Sequence, residues 1–280
     1  MPKVCIIIVN FNGKQFIKDC LENIKRNTKY KDYKVVFVDN NSLDGSEKFV
    51  SEKYPWVDLI ANKTNRGFSG GNNDGILYAA KKYNPDYFFI LGNDTKVQKN
   101  WLQECIKLAE SKTQIGIVGS KQMTFEGKES IFAAWFHPFG VKYYFGNLPK
   151  KVNWVSGACF LIKKEVIKKI GMLDEIYNPC YYEETDLEKR AEKAGFEVWV
   201  CPKSIVYHKV GGTNSKLKTD FIYSLMYRNR IIYFLKHYGI LYFLPRFFYD
   251  CFKALKVKRL KLLFSSYNSG LKKLKDSKKR

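Results

Sequence analysis

Three times in its first hundred or so residues, the chain runs through an uninterrupted apolar segment and then stops on polar residues. The segments from Val4 to Val9, Val35 to Val38 and Phe88 to Leu91 end respectively on Asn10, on Asp39 and on Gly92-Asn93-Asp94, and a short strand from Val57 to Ala61, which includes Asp58, ends on Asn62. Runs of this kind, closed by turn residues, read as strands buried on both faces. Between them, Phe16, Ile17, Cys20, Leu21 and Ile24 recur at helical steps. Ser42 or Asp44 can cap a second helix, and a third is expected from about Asn72 to Tyr83. Strand-then-helix units in succession predict an α/β fold, a mainly parallel sheet with helices on its faces. Ligands of such sheets collect outside the carboxyl ends of the strands. Asn10, Asp39, the stretch from Asn65 to Asn73, and Asp94 are therefore expected to meet at one nucleotide-sized site.

Each of these residues also has a plainer reading. Asn93 and Asp94 suit a hard cation that wants oxygen ligands, or simply an Asx turn. Gly67, Gly70 and Gly71 allow close backbone approach near helix amides that favour an anion, or form a flexible loop. Neither the dinucleotide fingerprint G-x-G-x-x-G nor the G-x-x-x-x-G-K-[ST] phosphate loop is present. Further on, Lys121 to Lys151 is aromatic and aperiodic, as expected of a substrate loop. Trp154 to Ile162 reads as one buried strand. Glu183, Glu184 and Asp186 begin a helix whose dipole they complement, and one of them could serve as general base. His208 ends another strand, as a structural residue or as a second metal ligand beside Asp94.

The net charge of +22 is unevenly placed. From Lys203 onward stand 19 Lys/Arg against 3 Asp/Glu. There, aromatic and basic residues alternate, interrupted by Pro245, as in helices lying on an anionic membrane or packing back on the preceding domain. No nucleic-acid-binding module is recognised. The seven scattered cysteines form no CxxC pair and read as buried thiols of a reducing compartment. With no signal-like opening and no membrane-spanning stretch, a cytoplasmic protein is expected, with a domain over 1–218 and a helical extension over 219–280.

Seven elements in order carry a resemblance: IIIVNFNG, VVFVDNNSLDGS, NRGFSGGNN, LGNDT, VSGACFLI, YYEETDLEKR and HKVGGT. Together they resemble a family 2 glycosyltransferase of the GT-A fold, in the branch of rhamnosyl- and galactofuranosyltransferases, over about Val4 to Asn229. The resemblance implies inverting transfer from a nucleoside diphosphate sugar, UDP- or dTDP-linked, with Mn²⁺ or Mg²⁺, to a glycan or lipid-linked acceptor. It implies Asp39 at the base or ribose, and Asn10, Asn65, Gly67, Phe68, Gly70, Gly71, Asn72 and Asn93 around the nucleotide. Asp94 and His208 correspond to metal ligands, and Glu184, with Glu183 and Asp186 beside it, to the catalytic base position. Two positions depart from the family pattern. Glu184 stands where Asp is usual, and Gly92 where the metal motif usually begins with Asp or Asn. A nucleotidyltransferase, or a catalytically weak binding protein of the same fold, would be the alternatives.

Overall fold

A computed structural model describes residues 1–137, 140–209, 219–277 and 279. The Gly211-Gly212-Thr213 part of the last motif and the expected boundary at residue 218 lie outside the described residues. The first half follows the expected rhythm. β1 (Val4–Asn10), α1 (Lys14–Asn27), β2 (Tyr33–Asp39), α2 (Ser46–Lys53), β3 (Asp58–Ala61), α3 (Gly67–Tyr83) and β4 (Tyr87–Leu91) alternate along the chain. β3, β2, β1 and β4 pair in parallel in that order, with Asn10 level with Asp39 across the β1–β2 pair. That register brings the polar strand ends together.

The sheet continues through β11 (Cys159–Lys163), β6 (Ile115–Met123), β12 (Glu197–His208) and β5 (Thr95–Val97). β11 runs against both of its neighbours, β4 and β6, whereas β12 is parallel to β6. The register of β12 shifts between Cys201 and Ile205, around Pro202, which cannot donate to a ladder. Beyond that irregularity β12 pairs antiparallel with β5, placing His208 opposite Thr95 and thus beside Asp94. β9 (Lys150–Val152) also pairs with β12. On one face, α1 and α4 (Trp101–Glu110) bury Ile17, Leu21, Trp101 and Leu102 with Ile6, Ile8 and Phe89. On another, Ile76 and Ala79 of α3 cover Ile7 and Val38.

Three local expectations differ from the structure. α3 starts at Gly67 rather than near Asn72, so the glycines lie within a helix rather than in a flexible loop. A Cβ on Gly71 would stand 2.8 Å from Val9 Cγ1 and one on Gly75 2.5 Å from Ile7 Cγ2, so these glycines let the helix press onto β1. The aromatic region forms structure of its own: β7 (Ala133–His137), β8 (Gly140–Tyr143) and β10 (Trp154–Val155) make a small antiparallel sheet over buried Phe132 and Ala133. The run from Trp154 to Ile162 is therefore two strands, broken at Ser156, Gly157 and Ala158.

α5 (Lys164–Ile170) and α6 (Glu183–Lys193) precede three C-terminal helices, α7 (Thr219–His237), α8 (Ile240–Lys256) and α9 (Leu260–Ser277). Pro245 sits inside α8 without ending it. These helices pack back onto the chain: Tyr227, Ile231, Tyr233, Phe243 and Tyr267 share a core with Ile176 and Tyr177. Within it, Asp250 accepts both contacts of the Arg230 Nη1 group at 2.7 Å and the Tyr267 hydroxyl at 2.6 Å. No described helix is long and apolar enough to cross a membrane.

Candidate active site

The strand ends build one continuous polar floor. Asn93 donates from Nδ2 to Asn10 Oδ1 at 2.6 Å, and Asn10 Nδ2 donates to Asp39 Oδ1 at 2.9 Å. Asp39 Oδ2 accepts the Ser42 amide, so Ser42 braces this floor while Asp44 accepts the first amide of α2. Asn10, Asp39 and Asn93 are all buried, which a polar group tolerates only when hydrogen-bonded. Asn40, one residue on, ties the floor to α3 by donating to the Gly67 carbonyl at 2.9 Å.

At the start of α3, Asn65 Oδ1 accepts the Gly67 amide and the Pro179 carbonyl accepts the Phe68 amide. The anion cradle expected here is thus filled by protein acceptors at its first two amides. Phe68 packs on the second core, Gly70 lies against Arg66, and Gly71 faces Asn40 and the sheet. Asn72 donates to the Phe68 carbonyl, while its Oδ1 is buried without a hydrogen-bond partner.

Asp94 and His208 meet as expected, with His208 Nε2 3.3 Å from Asp94 Oδ1. Two ligands at right angles on one octahedral cation would stand about 3.0 Å apart for bonds near 2.1 Å. The pair therefore fits a shared divalent ion. Among the described residues no group of three or more His, Cys, Asp or Glu gathers to hold a metal. Further ligands would have to be diphosphate oxygens and water, the usual company of Mg²⁺. Gly92 bears on this pair directly: a Cβ there would lie 2.9 Å from Asp94 Oδ1, so the family's Asp or Asn would displace the carboxylate.

The acidic motif divides into residues with different surroundings. Glu184 is half-buried, and its Oε1 accepts the Trp154 indole N–H at 3.1 Å and the Thr185 hydroxyl at 3.3 Å. Burial raises its pKa above the usual carboxylate value, with the Trp154 hydrogen bond opposing. Glu183 is buried, with one oxygen unpartnered; burial, then the Glu184 charge, pushes it well above the usual range. Glu188, one helical turn beyond Glu184, is shifted the same way for the same reasons, its Oε1 accepting the Val155 amide. Asp186 is turned elsewhere. Its carboxylate is taken up by Arg190, Lys236, His237 and the Tyr177 hydroxyl, the first three at 2.7 Å. Burial alone would raise it, but the His237 hydrogen bond and the Arg190 and Lys236 charges hold it well below the carboxylate range. Asp186 joins the motif to α7 rather than facing the site's other acids.

One turn links the two ends of the site. A Cβ on Gly157 would be 3.4 Å from Glu184 Cγ, and the next residue, Ala158, accepts the Gly92 amide at 2.8 Å. Glu184 and Asp94 thus flank the break between β10 and β11.

Glycosyl transferase family 2 matches residues 5–171. The chain belongs to this family. A low-salt glycan biosynthesis hexosyltransferase of Haloferax volcanii is 27% identical, over 83% of this chain and 75% of that one. An N-acetylglucosaminyl-diphospho-decaprenol L-rhamnosyltransferase of Mycobacterium tuberculosis is 24% identical, over 64% of this chain and 67% of that protein. The crystal structure of GalNAc-T7 with UDP, GalNAc and Mn²⁺ superposes with a TM-score of 0.62 at 14% identity, covering 84% of this chain. The chain spans about half of that structure, 48%. The family 2 transferase accordingly has the GT-A architecture, a mixed, mainly parallel sheet between helices.

The tail's part in this site was missed from sequence. Arg228 donates to the carbonyls of Tyr177 and Asn178, and Arg230 to the Tyr182 hydroxyl, fastening the segment that leads into Glu183. Glu188 and Trp154 were missed as well, although the four-residue spacing of Glu184 and Glu188 places them on one helix face.

Proposed function

We propose that this transferase moves a sugar, with inversion, from a UDP- or dTDP-linked donor to a hydroxyl of a glycan or lipid-linked acceptor. The observation that carries this reading is the turn at Ser156 to Ala158, which sets Glu184 and the Asp94–His208 pair on its two sides. Asp94 and His208 would hold Mn²⁺ or Mg²⁺. When bound, the ion would supply Lewis-acid neutralisation of the departing diphosphate. Asp39, with Asn10 and Asn93 bracing it, is assigned to the base or ribose. Asn65, Gly67, Phe68, Gly70, Gly71 and Asn72 are assigned to the nucleotide-side wall.

Glu184 takes the proton from the acceptor hydroxyl as that oxygen attacks the anomeric carbon. The bond to the nucleotide breaks on the opposite face, which inverts the centre. Glu184 suits this task because it alone of the three neighbouring glutamates is partly exposed, with burial raising its pKa above the usual carboxylate value. Burial, then the charge of Glu184, pushes the carboxyls of Glu183 and Glu188 well above the usual range. Asp186 keeps a structural role.

The kinship with a glycan-building hexosyltransferase and a lipid-linked rhamnosyltransferase supports an acceptor in cell-envelope polysaccharide assembly. We place residues 1–218 as the catalytic part and 219–280 as its helical extension, at the cytoplasmic face of a membrane. The test is release of UDP or dTDP from a panel of nucleotide sugars, with Mn²⁺ and with chelator. Metal-dependent release supports the reading. Turnover of nucleoside triphosphates alone would instead indicate a nucleotidyltransferase.

A further inference from the structure

α8 carries two apolar stripes on opposite sides. Phe243 and Ala254 are buried on one side, with Asp250 between them held by Arg230 and Tyr267. On the other, Leu241, Leu244, Phe248, Phe252 and Leu255 fall within an arc of about 80° at 100° per residue. This second stripe is bare: Leu241 is 77% exposed, Phe248 66% and Leu255 64%. A helix apolar all round is ordinarily enclosed by protein or faces lipid. Here one side is enclosed and the other is not.

The surroundings of the bare stripe are cationic. Arg246 and Lys253 lie over the Tyr249 ring at 5.1 and 4.9 Å, and Lys256 lies 4.4 Å from the Phe252 ring. The charged heads themselves lie over the rings, a cation–π arrangement that keeps Lys253 and Lys256 among the exposed aromatic residues of the helix. The single carboxylate of α8, Asp250, is buried and pairs with Arg246 at 3.2 Å as well as with Arg230, so no acid on the helix offsets Lys253 and Lys256. At the neighbouring helix ends, Asp220 is paired with Arg259 at 2.6 Å. A second copy of the same basic face would meet like charge, which disfavours self-association through it.

We propose that the outer stripe of α8 is the docking face for an anionic lipid bilayer. Its leucines and phenylalanines enter the headgroup boundary, and Lys253 and Lys256 meet the lipid phosphates. This rests on the transferase reading only for its purpose, which is to bring a lipid-linked acceptor to the site. The same helix is joined to the site through protein: Asp250 holds Arg230, and Arg230 holds Tyr182, the residue before Glu183. Docking therefore fixes how the catalytic segment faces the bilayer.

The experiment is co-sedimentation of the full chain with vesicles of phosphatidylcholine alone and of phosphatidylcholine with equal phosphatidylglycerol, without donor or acceptor. The wild-type chain is expected to bind the anionic vesicles at least about ten-fold more tightly, and less so as salt shortens the screening length from about 10 Å at 0.1 M. The triple variant Leu241→Asp, Phe248→Asp, Leu255→Asp alters exposed positions only. It is expected to lose vesicle binding while keeping its melting temperature and its rate of donor hydrolysis. Equal binding to both vesicle types, binding to neither, unchanged binding by the variant, or a wild-type dimer that the variant dissolves would each overturn the proposal. Because binding is read without turnover, a failure of the transferase reading would show in donor hydrolysis and leave the vesicle result to stand by itself.

Discussion

Asn229 Nδ2 lies 2.7 Å from the Tyr181 carbonyl oxygen, and also donates to the carbonyls of Tyr177 and Cys180 at 2.8 and 2.9 Å. One buried amide on α7 thus gathers the turn that delivers Glu183 and Glu184. Tyr181 and Tyr182 both have positive φ, 76° and 77°, a region that non-glycine residues rarely occupy. Such backbone persists when its surroundings over-determine it, and Asn229 with Arg230 supplies that constraint.

Removing the Asn229 amide should therefore disturb chemistry more than donor binding. Asn229→Ala is expected to lower kcat at least about ten-fold, leave the donor KM within about two-fold, and cost about 1–3 kcal/mol for carbonyls left unsatisfied. Steady-state kinetics beside denaturant melts check this. A proportional rise in donor KM with unchanged kcat would place Asn229 on the donor side instead.

The base assignment separates Glu184 from its neighbours. Glu184→Gln should keep donor binding and lose turnover by about 10² or more, whereas Glu183→Gln should retain most activity. Trp154→Phe offers a finer probe, since the indole N–H favours the charged form of Glu184. Without it the carboxyl holds its proton to higher pH, so the acidic limb of the rate profile should move upward. An unmoved or lowered limb would count against Glu184 as the titrating base.

Asp186 should matter to folding rather than to the proton. Its folded pKa is depressed, so its stabilising contribution is present above the unfolded value near 3.9 and is lost as pH falls through the lower folded value. Asp186→Asn should cost about 3–5 kcal/mol at neutral pH, as for a broken buried pair, with the gap to wild type narrowing in strong acid. Melts across pH measure it. A fully stable variant with no turnover would return Asp186 to the chemistry.

Much of the sheet was readable because its signals are local. Ile6 to Ile8, Val35 to Val38 and Phe88 to Leu91 are unbroken apolar runs, and the polar residues closing them had to meet at one edge once the strands were parallel. Asp94 and His208 were placed by the same logic, and they face each other. The start of α3 was misread because glycine is a poor helix former; close packing of Gly71 and Gly75 on Val9 and Ile7 outweighs that cost. The fate of Asp186 and the role of Asn229 depend on contacts with residues some fifty positions away along the chain, such as His237 and Tyr177. No periodicity reports such contacts. Nor could the tail's two readings be separated by sequence, since α8 packs with one face while leaving the other bare.

The most direct test of the whole account is the sugar-transfer rate of wild type and Asp94→Ala, each measured in Mn²⁺ and after chelation. Chelation is expected nearly to abolish wild-type transfer, and Asp94→Ala to be nearly inactive in Mn²⁺ while melting like wild type. Full transfer by Asp94→Ala, or wild-type transfer unchanged by chelation, would contradict it.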